Sequence, residues 1–119
     1  MSKSFDVVII GAGVIGSAIA FEMSKAGKKT INVDMLPSAG HGSTSASCAI
    51  IRTYYSTLDG TALAYESYFH WKAWRDYIGG SDELGLAEFR ETGCMVMKTE
   101  HNGNLESICT LMDQLAIPY

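Results

Sequence analysis

With 119 residues, 47% of them hydrophobic and 18% charged, the chain has the size and apolar content of one soluble domain or a piece of one. A disordered segment would be less apolar and more highly charged. Thirteen acids against nine lysines and arginines give a net charge of −4 with no basic run, which excludes the clustered positive charge of a nucleic-acid binder.

Three cysteines (Cys48, Cys94 and Cys109) are widely spaced, odd in number and free of any C-x-x-C pattern. They read neither as a disulfide framework nor as a zinc site, so reduced thiols and a cytoplasmic location are expected. The apolar run 7–20 lies behind Lys3, and Ala18-Ile19-Ala20 has the small-x-small form of a cleavage site. Asp6 interrupts the positive start of that run, and Gly11, Gly13 and Gly16 weaken it as a free apolar helix. It is shorter than the roughly 20 residues of a membrane span, so neither a signal peptide nor a span is expected.

Residues 5–10, Phe-Asp-Val-Val-Ile-Ile, form a short β-branched run that suits a strand buried on both faces. Gly11-Ala12-Gly13 follows as a tight turn. From Val14 the apolar residues Ile15, Ile19 and Met23 recur at helical spacing. Gly27 is expected to cap that helix, with Lys25, Lys28 and Lys29 at its negative end. Residues 30–34 read as a second strand. Strand, helix and strand in this order predict a right-handed βαβ unit with a parallel sheet.

Residues 35–60 are rich in Gly, Ser and Thr and read as loop. The spacing predicts a helix over 61–77, stopped by Gly79-Gly80. On it Ala64, Tyr68, Trp71, Arg75 and Ile78 share one face, and Tyr65 and Phe69 lie on another. So aromatic a helix expects packing neighbours on both faces; without a basic groove it is not a base-stacking platform. Residues 94–97 read as a short strand, and Leu105, Ile108, Met112 and Leu115 as an amphipathic helix over 104–115, capped by Asn102 or Asn104. A new segment is expected to begin at 117–119. No internal repeat is present.

Gly11-Ala12-Gly13-Val14-Ile15-Gly16 is a G-x-G-x-x-G motif with the required strand before it and helix after it. Gly11 permits the turn out of the strand, Gly13 lets a pyrophosphate approach the backbone, and Gly16 lets helix and sheet pack closely. The helix start offers unpaired N–H groups and partial positive charge to phosphates. Asp34 lies roughly 20 residues on, where a carboxylate accepts from ribose hydroxyls. This predicts an adenine dinucleotide site, though the motif alone serves NAD and FAD equally. Gly40, Gly42, Ser43, Thr44 and Ser45 form either a plain flexible loop or one lying against the cofactor; composition leaves both open. No His/Cys/Asp cluster has metal spacing, and no nucleophile-plus-base set or G-x-S-x-G motif is present.

Residues 4–55 resemble the N-terminus of the amino-acid and amine oxidoreductase flavoproteins, the family of D-amino-acid oxidase, glycine oxidase, sarcosine oxidase and dimethylglycine dehydrogenase. The matching segments are 6–16, Val33-Asp34, 40–45 and Ile50-Ile51-Arg52; weaker similarity continues through 89–93 to the end. The family usually has Glu where this chain has Asp34. The resemblance implies an α/β, Rossmann-type FAD-binding unit within a larger two-domain flavoprotein. It implies cofactor contacts from Gly11, Gly13, Val14, Ile15, Gly16, Asp34, Met35, Gly42, Ser43, Thr44 and Ser45. His41 precedes the Gly-Ser-Thr-Ser segment, unlike the attachment histidine of dimethylglycine-type relatives, and is expected to be a loop histidine.

Relatives of this kind are several times longer. Residues 1–60 are therefore expected to form the FAD unit and its loop. Residues 61–119 are expected to continue toward a substrate domain in the remainder of the enzyme, on the same or a separate chain, with residues 1–119 alone inactive. The implied reaction is C–N oxidation of a small amine or N-methyl amino acid, with hydride transfer to flavin. In the sarcosine oxidase branch the arginine matching Arg52 resembles a substrate-carboxylate clamp. A non-catalytic dinucleotide-binding module and an NAD-binding domain remain as alternatives.

Overall fold

The two β-branched runs pair directly. In the computed structural model, which describes residues 3–97 and 103–119, β1 (Val7–Ile10) and β2 (Thr30–Val33) form a parallel two-stranded sheet in the register Val7↔Thr30 to Ile10↔Val33. Both are shorter than the runs that predicted them, since Phe5 and Asp6 precede β1 and Asp34 follows β2. The Asp6 carboxylate secures the entry by accepting from the Lys29 N–H at 2.8 Å. At the other end the Gly11 N–H donates to the Val33 carbonyl at 2.8 Å, carrying the ladder into the turn.

The crossover is α1 (Val14–Lys25), which packs on both strands. Its stop differs slightly from expectation. Ala26 is the cap, and Gly27, at φ +74°, is the left-handed residue beyond it. The Lys28 N–H reaches the Met23 carbonyl and the Gly27 N–H that of Ser24, both at 2.9 Å, so the last carbonyls are satisfied. Burial of β1 on both faces is not observed. Ile9 is buried, whereas Val8 and Ile10, on the opposite face, are 62% and 93% exposed. Alternation sends neighbours to opposite faces of a sheet, and among the described residues up to Ile50 α1 is the one helix that packs on these strands.

The chain forms two compact units, Met1–Ile50 and Ile51–Tyr119. In the second unit the predicted helix over 61–77 is corrected to two helices, α2 (Leu58–Lys72) and α3 (Trp74–Ile78). Thr57 starts α2 by accepting from the Gly60 N–H at 3.2 Å. The interruption is at Ala73, where φ is −103° and ψ 34°. Trp71 and Trp74 stack across it at 4.4 Å between centroids. Gly79, at φ +69°, ends α3 as expected.

Tyr68 does not segregate with Trp71 as the helical wheel suggested. It packs with Tyr65 and Phe69, and against Phe89 from the following segment at 5.9 Å. The rings serve one another as packing surface. Residues 94–97 form no strand; the expected ladder has no partner strand among the described residues of this unit. The final helix, α4 (Gly103–Gln114), packs on α2. Asn104 falls inside it, and Asn102 lies outside the described residues. Beyond α4 the chain reverses at Ala116, φ 52°, and the Ile117 N–H reaches the Met112 carbonyl at 2.9 Å. That return buries Met112 and Ile117 together.

Ile10, Leu84, Met95 and Met97 all present apolar surface to solvent. Residues 1–119 expressed alone are therefore expected to bind a hydrophobic dye and to self-associate. Dye fluorescence and size-exclusion chromatography check this, and a dye-negative monomer would count against it.

Candidate functional site

The glycine-rich turn between β1 and α1 is braced by four residues, all within the first unit. Gly11 takes φ +108°, a conformation that disfavours any side chain. The Ala12 peptide is held on both sides: its N–H donates to Asp34 Oδ2 at 2.7 Å, and its carbonyl accepts from the Gly40 N–H at 2.9 Å. Thr44 Oγ1 accepts from the Val14 N–H at 3.0 Å. Asn32, midway along β2, donates from Nδ2 to the carbonyls of Gly11 and Gly16 at 3.0 and 3.1 Å.

The two inner glycines are required by contact distance. A Cβ on Gly16 would lie 2.1 Å from the Gly11 carbonyl oxygen, and one on Gly13 would lie 2.9 Å from Thr44 Oγ1. Gly13 caps α1 without a side chain of its own. The first-turn N–H groups beyond Val14 have no use in the helix's own ladder and point out at its positive end.

Asp34 sits just past β2, with Oδ1 accepting from the Leu36 N–H at 2.9 Å and Oδ2 from Ala12. The Leu36 bond, then that of Ala12, hold its carboxyl below the usual carboxylate range. Each oxygen keeps capacity for a further donor such as a ribose hydroxyl. Met35 beside it is almost wholly exposed, as are Val14 and Ile15 to a lesser degree on the first turn of α1.

The 40–45 segment is folded, not a loose Gly/Ser loop. The Ser45 N–H donates to the Gly40 carbonyl and its hydroxyl to that of Gly42, each at 3.0 Å. Gly42 lies against Leu36, and Ser43 and His41 are exposed. The structure thus joins Gly11, Gly13, Val14, Gly16, Asp34 and Thr44 by direct contacts, while Ile15, Met35 and Ser43 are present on its surface without such bonds.

Arg52 belongs to the second unit. It lines an open cleft of about 750 Å³ with Tyr54, Tyr65, Tyr68, Phe69 and Phe89. Its guanidinium lies 4.5 Å from the Tyr55 ring centroid and 5.9 Å from that of Tyr54. Tyr55 raises its pKa further, so the charge is permanent. The fully buried Thr61 fixes this segment: its hydroxyl accepts from the Tyr55 N–H and donates to the Tyr55 carbonyl, both at 3.0 Å. On the cleft wall, Glu91 accepts from the Tyr68 hydroxyl and pairs with Lys72 at 3.3 Å. Among the described residues, no group of three His, Cys, Asp or Glu side chains is placed to hold a metal ion, and no helix is long and apolar enough to cross a membrane.

Sequence reasoning missed Asn32 and Thr61. The signal for Asn32 was a lone carboxamide inside an apolar strand. Thr61 carried none, because a threonine near a helix start reads as surface. The resemblance placed Thr44 among the cofactor contacts; the structure shows its hydroxyl receiving the Val14 N–H.

A parallel βαβ unit with a glycine-rich first turn and an acid after its second strand defines a dinucleotide-binding α/β protein of Rossmann type. A family model described as FAD dependent oxidoreductase matches residues 6–117, and the chain belongs to that family. It is 34% identical over 76 residues to a probable sarcosine oxidase of Arabidopsis thaliana, covering 63% of this chain and 18% of that protein. It is 41% identical over 56 residues to the monomeric sarcosine oxidase of a Bacillus species, covering 46% and 14% of the respective chains. With a glycine oxidase of Bacillus licheniformis it shares 53% identity over 30 residues, covering 25% of this chain and 8% of that one. The chain thus spans less than a fifth of the length of these relatives. No solved structure matches it significantly.

The family's cofactor is FAD. The residues present fit it: Gly13 puts no side chain at the helix start, and Asp34 places a carboxylate beside the turn. Replacing Asp34 by alanine is expected to weaken FAD binding about ten- to a hundredfold, the scale of losing hydrogen bonds to a charged group. Because the folded pKa of Asp34 is depressed, its bonds persist above the ordinary carboxylate pKa and are lost as pH falls through the lowered value. Wild-type affinity should therefore show no Asp34-linked change between about pH 8 and pH 5. A titration of FAD against pH measures both, and an unchanged affinity in Asp34→Ala would remove the ribose assignment.

Proposed function

We propose that the chain is the FAD-binding part of an oxidoreductase that oxidises the C–N bond of a small amine or N-methyl amino acid such as sarcosine. Gly11, Gly13, Val14, Ile15, Gly16, Asp34, Met35, Gly42, Ser43, Thr44 and Ser45 contribute to the cofactor site, and Arg52 holds the substrate carboxylate. When bound, FAD supplies the acceptor for the hydride lost by the carbon beside nitrogen. The imine so formed hydrolyses. The protein's part is to bind the pyrophosphate on the turn, to orient the ribose, and to fix the substrate by its charged end.

The observation that carries the substrate class is Arg52: a cleft-lining guanidinium that makes no ion pair with an acid among the described residues, whereas Lys72 and Arg90 on the same cleft are each paired with a glutamate. An unpaired planar fork between aromatic rings suits a carboxylate, which it grips through two parallel bonds. The names of the sarcosine and glycine oxidase relatives support the same class. Residues 1–60 form the cofactor unit and its loop in this reading. Residues 61–119 lead toward a substrate domain in the remainder of the enzyme, on this or another chain, within a possible oligomer. The three free cysteines fit a cytoplasmic protein. Residues 1–119 alone are not expected to turn over.

Arg52→Lys in the full-length enzyme keeps the charge and loses the fork. It is expected to lower kcat/KM for sarcosine about ten- to a hundredfold and to spare a neutral methylamine of similar size. Steady-state kinetics on the two substrates provides the comparison, and an equal loss on both would end the carboxylate reading. Release of a yellow chromophore on denaturation identifies the cofactor independently.

A further inference from the structure

We infer that Asn32 is a positioning residue of the cofactor site, setting the angle at which the glycine-rich turn and the start of α1 present their N–H groups to the pyrophosphate. The inference rests on the FAD reading above. Asn32 is the single carboxamide in a strand otherwise made of Thr, Ile and Val. Its backbone pairs in register with Ile9, while its half-buried side chain leaves the sheet to reach the turn. Both atoms that face it, the carbonyl oxygens of Gly11 and Gly16, are acceptors. The amide nitrogen must therefore be the atom between them, since the amide oxygen would meet two like partial charges.

Those two carbonyls lie on opposite sides of the motif, one leaving β1 and the other entering α1. One NH₂ group fastens both, so strand end and helix start move as one body. The space is also closed to alternatives. A Cβ on Gly16 would come within 3.3 Å of Asn32 Nδ2 as well as against the Gly11 carbonyl. Asp34 and Thr44 secure the same turn through its N–H groups, at Ala12 and Val14. Asn32 alone among these side chains secures it through carbonyl groups. The N–H groups of those two peptides are already engaged, that of Ala12 on Asp34 and that of Ser17 on the Gly13 carbonyl, so Asn32 acts by fixing turn and helix start to each other, which sets the direction of the first-turn N–H groups left unused by the helix.

The test measures FAD and ADP dissociation constants by fluorescence on the full-length protein and two variants, with thermal melting alongside. Asn32→Leu keeps comparable volume and removes the donor; affinity for both ligands should fall roughly ten- to a hundredfold. Asn32→Asp keeps the shape and puts a carboxylate against two carbonyl oxygens. Its affinity should be weakest near pH 8 and recover toward about pH 5.5, as burial and the facing oxygens raise the new carboxyl's pKa and the protonated acid becomes a donor. Gly11 to Ser17 carry no titratable side chain. His41 on the neighbouring loop, and Asp34, are common to all three proteins, so a pH response confined to Asn32→Asp reports position 32. Affinities within twofold of wild type in both variants, or a lower melting temperature with unchanged affinity and no pH recovery, would overturn the inference while leaving the FAD reading intact. Failure of the wild-type protein to bind FAD would overturn both.

Discussion

Replacing Gly16 by alanine is expected to abolish FAD binding and to destabilise the first unit. The new methyl carbon would start 2.1 Å from the Gly11 carbonyl oxygen and 2.9 Å from the Gly11 carbonyl carbon. Both obstacles are backbone, and that backbone is held by Asn32 and by the Gly11–Val33 hydrogen bond. No rotamer change relieves the contact, so α1 must move away from β1. Overpacking of this kind costs about 1–3 kcal/mol and occasionally more, on top of the lost alignment of the helix start. Thermal melting and FAD titration of the variant provide the measurement. A protein with wild-type Tm and affinity would show that α1 does not approach β1 this closely.

The second large effect is expected at Gly13. Valine there should leave FAD binding undetectable while β1 and α1 remain formed. The obstruction differs in kind from that at Gly16, because the nearest atom is the Thr44 hydroxyl, 2.9 Å from a Cβ. Thr44 can rotate away, at the loss of its bond to the Val14 N–H. The valine methyls then stand over the backbone where the pyrophosphate is proposed to approach. The double change Gly13→Ala with Thr44→Ala separates the two contributions. If Thr44 were the whole obstacle, the pair would bind FAD better than Gly13→Ala alone. With the phosphate approach dominant, the pair should remain as weak. Circular dichroism shows whether the fold survives, and retained affinity in Gly13→Val would remove the pyrophosphate assignment.

The βαβ unit was legible in the sequence because its signals are local. β-branched runs, glycines at fixed offsets and a helical period each act within a few residues, and they agree with one another. The strand expected at 94–97 failed for the opposite reason. A ladder needs a partner, and nothing in Cys-Met-Val-Met states whether one lies within this unit. Tyr68 was misassigned by the same limitation, since the helical wheel knows α2 but not Phe89. At the site, the turn at Gly11 and the close approach at Gly16 followed from the motif and are matched by φ and contact distance. The bracing by Asn32 and Thr44 did not, because a hydroxyl or carboxamide shows its partner only once distant segments have met. The neutralised Lys72 and the unpaired Arg52 look alike as isolated basic residues. Only the placement of Glu91 distinguishes them.

The clasp between Thr61 and Tyr55 has a kinetic consequence. Residues 52–55 have no regular secondary structure, and such segments ordinarily exchange their amide protons with solvent quickly. The Tyr55 N–H is instead bonded to a hydroxyl with no solvent exposure at the head of α2. Its proton can exchange only when that first helical turn opens. The Tyr55 amide should therefore exchange at the rate of the α2 terminus and not of a loop. The Arg52 backbone, three residues earlier, is thus tied to the opening of α2 and not to the motion of a free loop.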